Sequence, residues 1–240
     1  MFRHRGKHRT LVHNLKLASL LSFVAGIVNV TGLFALQRLT TNVTGHFAYF
    51  ADEMSKKNFT YAWVYLLYIL AFLFGSFFSN TLVEIISKKN VRFVNIIPVS
   101  IEIFILVFIA FLGPHTIETS VNVIVCSLLF AMGLQNALVT NISNSVVRTT
   151  HLTGLFTDLG IELSQLFFFK KLEQQKRLRS SVKLRLTIIC FFFLGCIIGG
   201  LFYSRYAMLT LLLAAAILLA GLVYDSIKFK VVTLKRKYLS

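Results

Sequence analysis

Residues 149–157 read TTHLTGLFT, and residues 40–48 read TTNVTGHFA. Both stretches contain the pattern TxxTG, both follow a long apolar run, and they begin 109 residues apart. Self-similarity at a fixed spacing is typical of an internally repeated structure. The two stretches therefore raise the question of which architecture places the same threonine–glycine pattern after two separate apolar runs.

The composition indicates that these apolar runs lie in a membrane. The chain has 240 residues, of which 56% are hydrophobic and only 14% are charged, whereas soluble domains carry about 25% charged residues. About 20 apolar residues suffice to cross the hydrocarbon layer, so the sequence predicts an all-α integral membrane protein. The predicted spans are 15–36, 60–86, 92–112, 120–142, 184–204 and 207–224.

The distribution of basic residues predicts the orientation. With the N-terminus in the cytoplasm, six spans place 21 of the 25 Lys and Arg residues on the inner side. The predicted outer segments hold only Arg38, Lys56, Lys57 and Arg205. This asymmetry follows the positive-inside rule, and it explains the net charge of +16 without a nucleic-acid partner. Both termini, 1–14 and 225–240, are then basic cytoplasmic segments.

Further matches extend the repeat beyond the threonine–glycine stretches. Gly26-x-x-Asn29 is matched by Gly133-x-x-Asn136. Gly75, in the second predicted span, has a similar counterpart in Gly195 of the fifth. The alternative is chance matching in a sequence of biased composition.

The matches divide the chain into two halves, 15–112 and 120–224, each with three spans. An odd number of spans per half forces the second half to enter the membrane from the opposite side. The result is an inverted-topology repeat, which is common in secondary transporters.

The TxxTG stretches predict helix interruptions at membrane depth. A broken helix leaves backbone groups unpaired, and threonine hydroxyls can bond them while glycine permits the turn. Freed backbone and a helix N-terminus suit a small anion or ion. The alternative is that threonine simply caps the following helix. For the mid-span asparagines the alternative is interhelical hydrogen bonding. The candidate pathway comprises Asn29, Thr41, Asn42, Thr44, Gly45, Gln135, Asn136, Thr150, Thr153, Gly154 and Asp158.

Glu102 lies at the centre of the third predicted span. A charged group at that depth costs roughly 3 kcal/mol on insertion scales, so such residues are functional candidates. We expect Glu102 to carry a proton, neutral in apolar surroundings and ionised when hydrated. The alternative is a neutral, hydrogen-bonded carboxyl that fixes helix packing. Pro98, one turn earlier, is expected to kink this helix.

Residues 155–169 predict an amphipathic helix at the inner interface. Asp158, Glu162 and Gln165 recur at helical spacing beside a leucine stripe. In the repeat alignment Glu162 matches Glu53, and His151 stands where the first half has Asn42.

Other chemistry is weakly indicated. The sequence contains no nucleophile elbow, no zinc-protease motif and no phosphate-binding loop. Its three cysteines, at 126, 190 and 196, all lie in apolar runs, so they predict neither a disulfide framework nor a metal site. We therefore expect no cofactor and no metal.

The stretches FVAGIVNVTGLFAL, GLQNALV and VRTTHLTGLFTDLGIEL resemble the YoaK-type family of bacterial multi-pass membrane proteins, whose function is unknown. The resemblance covers residues 15–225, and RTTHLTGLFTDLG is its most specific part. It implies a protein of the bacterial cytoplasmic membrane with about six spans, and it implies no substrate. The family pattern often has an acidic residue at the position of Asn29.

The repeat, the paired motifs and Glu102 together predict a transporter or permease for a small solute or ion, with proton coupling. The partners are then the lipid bilayer and the solute, and the glycine-rich faces are compatible with a homodimer. The alternatives are a non-transporting scaffold or partner subunit, and an intramembrane enzyme.

Overall fold

The computed structural model describes residues 10–89, 93–143 and 146–238, with the backbone alone at 89, 113–119 and 228–238. Every regular element within these ranges is a helix, as the apolar runs predict. The elements are α1 (Leu11–Leu36), α2 (Val43–Ser55), α3 (Phe59–Lys89), α4 (Ile96–Ser143), α5 (Leu152–Phe168), α6 (Leu172–Tyr206), a short 3₁₀ turn (Ala207–Leu209) and α7 (Thr210–Tyr238).

Long apolar helices confirm that the chain is a membrane protein. Among the described residues, four helical segments are long and apolar enough to cross a membrane, and the Ile96–Leu112 stretch is apolar but shorter. The four segments are Leu11–Leu36, Phe59–Lys88, Ser120–Ser143 and Leu172–Ile227. The last of these includes both α6 and α7. The six-span count stays a prediction.

Two local backbone features divide the long helical stretches. Ser120 has non-helical dihedral angles (φ −140°, ψ 33°) inside α4, where it separates a 96–119 segment from a 120–143 segment. Ala207 has a positive φ of 47° and ends α6 before the 3₁₀ turn. Pro98 lies in the first turn of α4, where proline removes no helical hydrogen bond. The kink expected at Pro98 is therefore absent, and the break at Ser120 lies between the third and fourth predicted spans.

The outer surface of the bundle carries large apolar side chains. Trp63, Leu73 and Phe77 of α3 are 67%, 61% and 65% exposed, and Leu201 of α6 is 68% exposed. A continuous apolar surface of this kind is unfavourable in water and suits acyl chains. The surface therefore agrees with the span assignment.

Two pairs of helices cross at glycine, α1 with α6 and α3 with α4. A Cβ on Gly26 would overlap the backbone carbonyl oxygen of Phe192, and one on Gly195 would overlap that of Phe23. Each glycine thus lies against the phenylalanine three residues before the other glycine. Glycine permits this close approach of two backbones.

The second crossing repeats this arrangement. A Cβ on Gly75 would overlap the carbonyl oxygen of Phe130, and one on Gly133 would overlap that of Phe72. The motif Phe-x-x-Gly therefore occurs once on each of the four crossing helical segments.

Contacts along each pair rise together in residue number, so the crossing helices run parallel. In α1 and α6 the contacts proceed from Phe23 with Gly195 to Phe34 with Tyr203. In α3 and α4, Ser76 Oγ donates to the Gly133 carbonyl at 3.0 Å, and Asn141 Nδ2 donates to Asn80 Oδ1 at 2.8 Å.

The two short helices dock on different partners. Helix α2 packs on α3, and α5 packs on α6. Helix α1 also contacts α4 and α7, and its central apolar side chains are fully buried. The core therefore centres on α1, and each short helix lies beside a long helix that crosses the bundle.

Candidate functional site

The first threonine–glycine stretch folds back along α1. Thr40 Oγ1 donates to the Val28 carbonyl at 3.2 Å, and Thr41 Oγ1 donates to Asn29 Oδ1 at 2.9 Å. Val28 lies eight residues before the end of α1, so the chain returns by about 12 Å along that helix. The two threonine hydroxyls hold this returning segment against α1, and the segment carries the start of α2 with it. The helix interruption at membrane depth stays a prediction.

Helix α2 begins with a side-chain cap. Asn42 precedes its first residue, and Asn42 Oδ1 accepts a hydrogen bond from the Gly45 N–H at 3.0 Å. Asparagine is a favoured residue at this position because its side chain pairs a free backbone donor. Thr44 is exposed in the same turn. The side chain of Asn42 thus caps the helix that begins in the first motif.

His46 anchors α2 on α3. Its side chain is only 1% exposed, and its Nε2 lies 2.8 Å from the Leu39 carbonyl. The ring stacks on Tyr65 and meets the edge of Tyr68, and Tyr65 also lies under the Arg38 guanidinium. Burial lowers the pKa of His46 below its ordinary value of 6.5, with a smaller contribution in the same direction from Arg38.

The second threonine–glycine stretch is arranged differently. Thr149 is fully buried. His151 occupies the cap position of α5, where Asn42 stands in α2, but its side chain makes no capping hydrogen bond. Its ring packs on Gly154 instead. The first-turn N–H groups of α5, 152–154, donate to no described residue, so this helix start remains open.

A polar cavity of about 590 Å³ lies between α3, the 120–143 segment of α4 and the second motif. We call it the amide cavity. Asn136 belongs to its wall, and Asn136 Oδ1 has no hydrogen-bond partner among the described residues. The wall consists of Ser76, Asn80, Asn136, Ala137, Thr140, Asn141, Arg148 and His151.

A second cavity, of about 680 Å³, adjoins the first. We call it the vestibule. It lies between the start of α1, the second motif, α5 and the 180–185 part of α6. Arg148 and His151 line both cavities, so they form the wall that the cavities share. Asn14, Gly154, Asp158 and Arg185 also line the vestibule.

An ion-paired cluster closes one side of the vestibule. Arg185 Nη1 donates to Asp158 Oδ2 at 2.8 Å, and Arg185 Nε donates to Glu162 Oε2 at 2.9 Å. Ser181 Oγ also donates to Glu162 Oε1 at 2.6 Å. The side chains of Arg185 and Glu162 are 22% and 14% exposed. Charge-assisted bonds at this degree of burial hold α5 firmly on α6.

Glu102 and Gln135 are fully buried away from both cavities. Gln135 Nε2 donates to the Leu21 carbonyl at 3.2 Å, which connects α4 to α1. Neither carboxyl oxygen of Glu102 has a hydrogen-bond partner among the described residues. Within those residues, no group of three or more His, Cys, Asp and Glu side chains is placed to hold a metal ion.

The structure separates the predicted pathway residues into groups. Asn136, Gly154 and Asp158 line the two cavities, and Thr150 and Thr153 belong to the stretch beside them. Asn29, Thr41, Asn42, Thr44 and Gly45 lie together at the first motif. Glu102 and Gln135 line neither of the two cavities.

Sequence reasoning missed Arg148, Asn80 and Asn141. Arg148 directly precedes the second motif, which was the signal available, but it was counted only among the inner charges.

Comparison with known proteins supports the resemblance to YoaK. A family model described as "Protein of unknown function (DUF1275)" matches residues 17–224. The UPF0700 transmembrane protein YoaK of Bacillus subtilis (strain 168) is 27% identical over 188 residues, which cover 77% of this chain and 82% of that protein. No solved structure matches the chain.

Proposed function

Because the chain belongs to the DUF1275 family of membrane proteins, whose function is unknown, we propose a function from its own geometry. The chain is a six-span transporter of the bacterial cytoplasmic membrane, made of two inverted three-span repeats. It moves a small solute or ion through a path that includes the amide cavity and the vestibule.

The paired glycine crossings carry this proposal. Gly26 of the first half matches Gly133 of the second, and Gly75 matches Gly195. Each crossing joins one half to the other, Gly26 to Gly195 and Gly75 to Gly133. Exchange of the two halves therefore converts one crossing into the other. Two repeats related by a pseudo-two-fold axis require this relation.

The positions of the two motifs along α1 give independent support. Thr40 of the first motif contacts Val28, whereas Asn14 lines the vestibule together with residues of the second motif. Val28 and Asn14 are 14 residues apart, or about 21 Å along the helix. The motifs thus occupy two levels of the bundle, and the basic residues favour the cytoplasmic side for the second.

The two halves differ in a way that fits alternating access. At the first motif, Thr41 bonds Asn29 and Asn42 caps α2. At the second motif, the equivalent Asn136 lines a cavity, and its Oδ1 is buried without a hydrogen-bond partner among the described residues. We assign this structure to an inward-open state. Its outward-open counterpart would close Asn136 on Thr150 and release Asn29 from Thr41.

Glu102 is our candidate for proton coupling. Its carboxyl group is completely buried, with no hydrogen-bond partner among the described residues. An ionised carboxylate in such surroundings is costly, so the group would be neutral when enclosed and would release its proton when hydrated. Because Glu102 lines neither cavity, coupling would proceed through helix movement.

Side-specific labelling tests the inverted arrangement. Thr44 and Thr153 are exposed and occupy matching positions in the two motifs. In a background without Cys126, Cys190 and Cys196, we expect Thr44→Cys to react with an impermeant reagent from outside only. Thr153→Cys is expected to react from inside only. Labelling of both from one side would contradict the inverted repeat.

Flux in proteoliposomes containing only this protein tests transport. We expect solute-dependent proton uptake by the wild type, its loss in Glu102→Gln, and its retention in Glu84→Gln, which changes an exposed carboxylate. Unchanged coupled uptake in Glu102→Gln would refute the proton role. Absence of flux for every solute tested would favour the scaffold function.

A further inference from the structure

The wall between the two cavities contains a cation without a counter-ion. Arg148 lines both the amide cavity and the vestibule. It forms no ion pair or hydrogen bond with any described residue, whereas Arg185 in the same vestibule is held by two carboxylates. Arg148 is therefore free to bind an anion.

The charge balance favours an anion in the amide cavity. Its wall contains Arg148 and no acidic residue. The acidic residue of the vestibule wall is Asp158, which shares Arg185 with Glu162, so one positive charge faces two negative charges there. The start of α5 adds unpaired N–H donors near His151, and helix N-termini attract negative charge. The amide cavity is therefore the better site for an anion.

An unpaired acceptor narrows the ligand further. Asn136 belongs to the amide cavity wall, and its Oδ1 is buried in that wall without a donor among the described residues. An unpaired buried carbonyl is unfavourable, so rotation of the Asn136 amide towards a ligand in the cavity is favoured when the ligand offers a hydroxyl or ammonium donor. An anion without such a donor leaves this oxygen unsatisfied.

We infer that the amide cavity binds a small oxyanion which also carries a hydrogen-bond donor. Its phosphoryl or carboxylate group contacts Arg148, and its hydroxyl or ammonium group contacts Asn136. Hydrogen phosphate and small hydroxycarboxylates have this chemistry, and so does the headgroup of phosphatidylglycerol. The inference rests on the proposed function for its place in a transport path, but it concerns binding alone.

Matched pairs of anions test the inference. The full-length protein in phosphatidylcholine nanodiscs is titrated with phosphate, sulfate, lactate and propionate, with chloride as the control for ionic strength, and the thermal midpoint is followed. Bound ligand raises the midpoint because it stabilises the folded state. We expect phosphate and lactate to bind roughly tenfold more tightly than sulfate and propionate, which lack the donor at neutral pH.

Variants connect the binding to the two residues. Arg148→Gln should weaken binding of phosphate by roughly tenfold or more, since a charge-assisted bond is lost. Arg148→Lys should restore part of it. Asn136→Leu should retain binding but lose the preference for phosphate over sulfate. Arg177→Gln removes an exposed charge of α6 that lines neither cavity, and it should bind as the wild type does. The midpoint of each variant without ligand checks its folding.

Nanodiscs containing phosphatidylglycerol distinguish the source of the ligand. If a free solute is preferred, phosphate raises the midpoint equally in both lipids. If the headgroup occupies the site, phosphatidylglycerol raises the midpoint in an Arg148-dependent manner and abolishes the effect of phosphate. Either result supports the oxyanion site.

Two results would contradict the oxyanion site. If no oxyanion shifts the midpoint beyond chloride in either lipid, or if Arg148→Gln leaves the shift unchanged, the inference is wrong. Binding without flux in proteoliposomes would instead refute the transporter and leave the site intact. Flux of another solute without oxyanion binding would refute the binding site and leave the transporter function intact.

Discussion

Gly26 of α1 and Gly195 of α6 lie back to back, each against the carbonyl oxygen of the phenylalanine three residues before the other. The same contact between Gly75 and Gly133 joins α3 to α4. At each crossing two backbones are in contact at a glycine, and the same helices line the two cavities. A larger residue in place of one glycine is therefore expected to push the two helices apart.

Gly133→Ala is therefore expected to destabilise the protein by about 1–3 kcal/mol, because the added methyl overlaps the Phe72 carbonyl. The same change at Gly160 meets nothing within 4 Å. It should stabilise α5 by roughly 0.5–1 kcal/mol, since alanine is the better helix former. Chemical unfolding in detergent measures both. An increase in the free energy of unfolding in both variants would contradict the close crossing.

The ion-paired cluster predicts that Arg185→Met loosens α5 from α6. We expect a loss of about 1–3 kcal/mol, because Glu162 is left partly buried without its charged partner. Lys56→Met breaks a pair with Asp52 whose side chains are 59% and 50% exposed, and it should change stability much less than Arg185→Met does, because exposed ion pairs contribute little. Thermal unfolding at low and high salt measures both effects. An equally small effect at Arg185 would show that the cluster adds no docking energy.

His46 predicts a pH dependence of stability. Burial lowers its folded pKa below 6.5, so the folded state favours the neutral ring. Its contribution to stability is complete above pH 6.5 and is lost as the pH falls through the lowered folded pKa. We expect the thermal midpoint of the wild type to drop across this window more steeply than that of His46→Gln. Thr44→Ala, which changes an exposed residue of the same helix without a titratable group, should follow the wild type. A steeper drop in His46→Gln would reverse the expected sign.

Thr41→Val is expected to favour the outward-open state, because it removes the hydrogen bond to Asn29 that closes the first motif. Thr153→Cys reports the change, because Thr153 of the second motif is exposed in the inward-open state. Its labelling from inside should slow by up to about fivefold, as expected for loss of a hydrogen bond worth roughly 1 kcal/mol. Thr44→Val, at an exposed position, is the matched control. Unchanged labelling in Thr41→Val would argue against closure by this bond.

The apolar runs predicted the long helices well, because about 20 residues must bury their backbone bonds in lipid whatever their neighbours are. The amphipathic stripe predicted residues 155–169 as a helix, and α5 occupies Leu152–Phe168. The start of α6 at Leu172 was not predicted. Its first turns are too polar to indicate a span, and the charged contacts with α5 lie further along α6, at Ser181 and Arg185.

The sequence did not predict which glycines contact each other. Repeat matching pairs Gly26 with Gly133, whereas contact pairs Gly26 with Gly195, since sequence similarity compares positions and does not show which helix faces meet. The role of Arg148 was hidden for another reason. A positive charge on the inner side has a sufficient explanation in membrane topology, so its lack of a counter-ion became visible only with the surrounding side chains in place.

Because α1 packs on α6, α1 can complete its packing only after α6 has been synthesised. Cys196 Sγ donates to the Gly26 carbonyl across 170 residues of chain. At about 5–20 residues per second, α1 waits roughly 10–30 s in the translocon region before its partner is synthesised. Because both glycine crossings join the first part of the chain to the second, we expect residues 1–112 and 120–240 expressed as separate polypeptides to be degraded when alone and to complement each other when produced together.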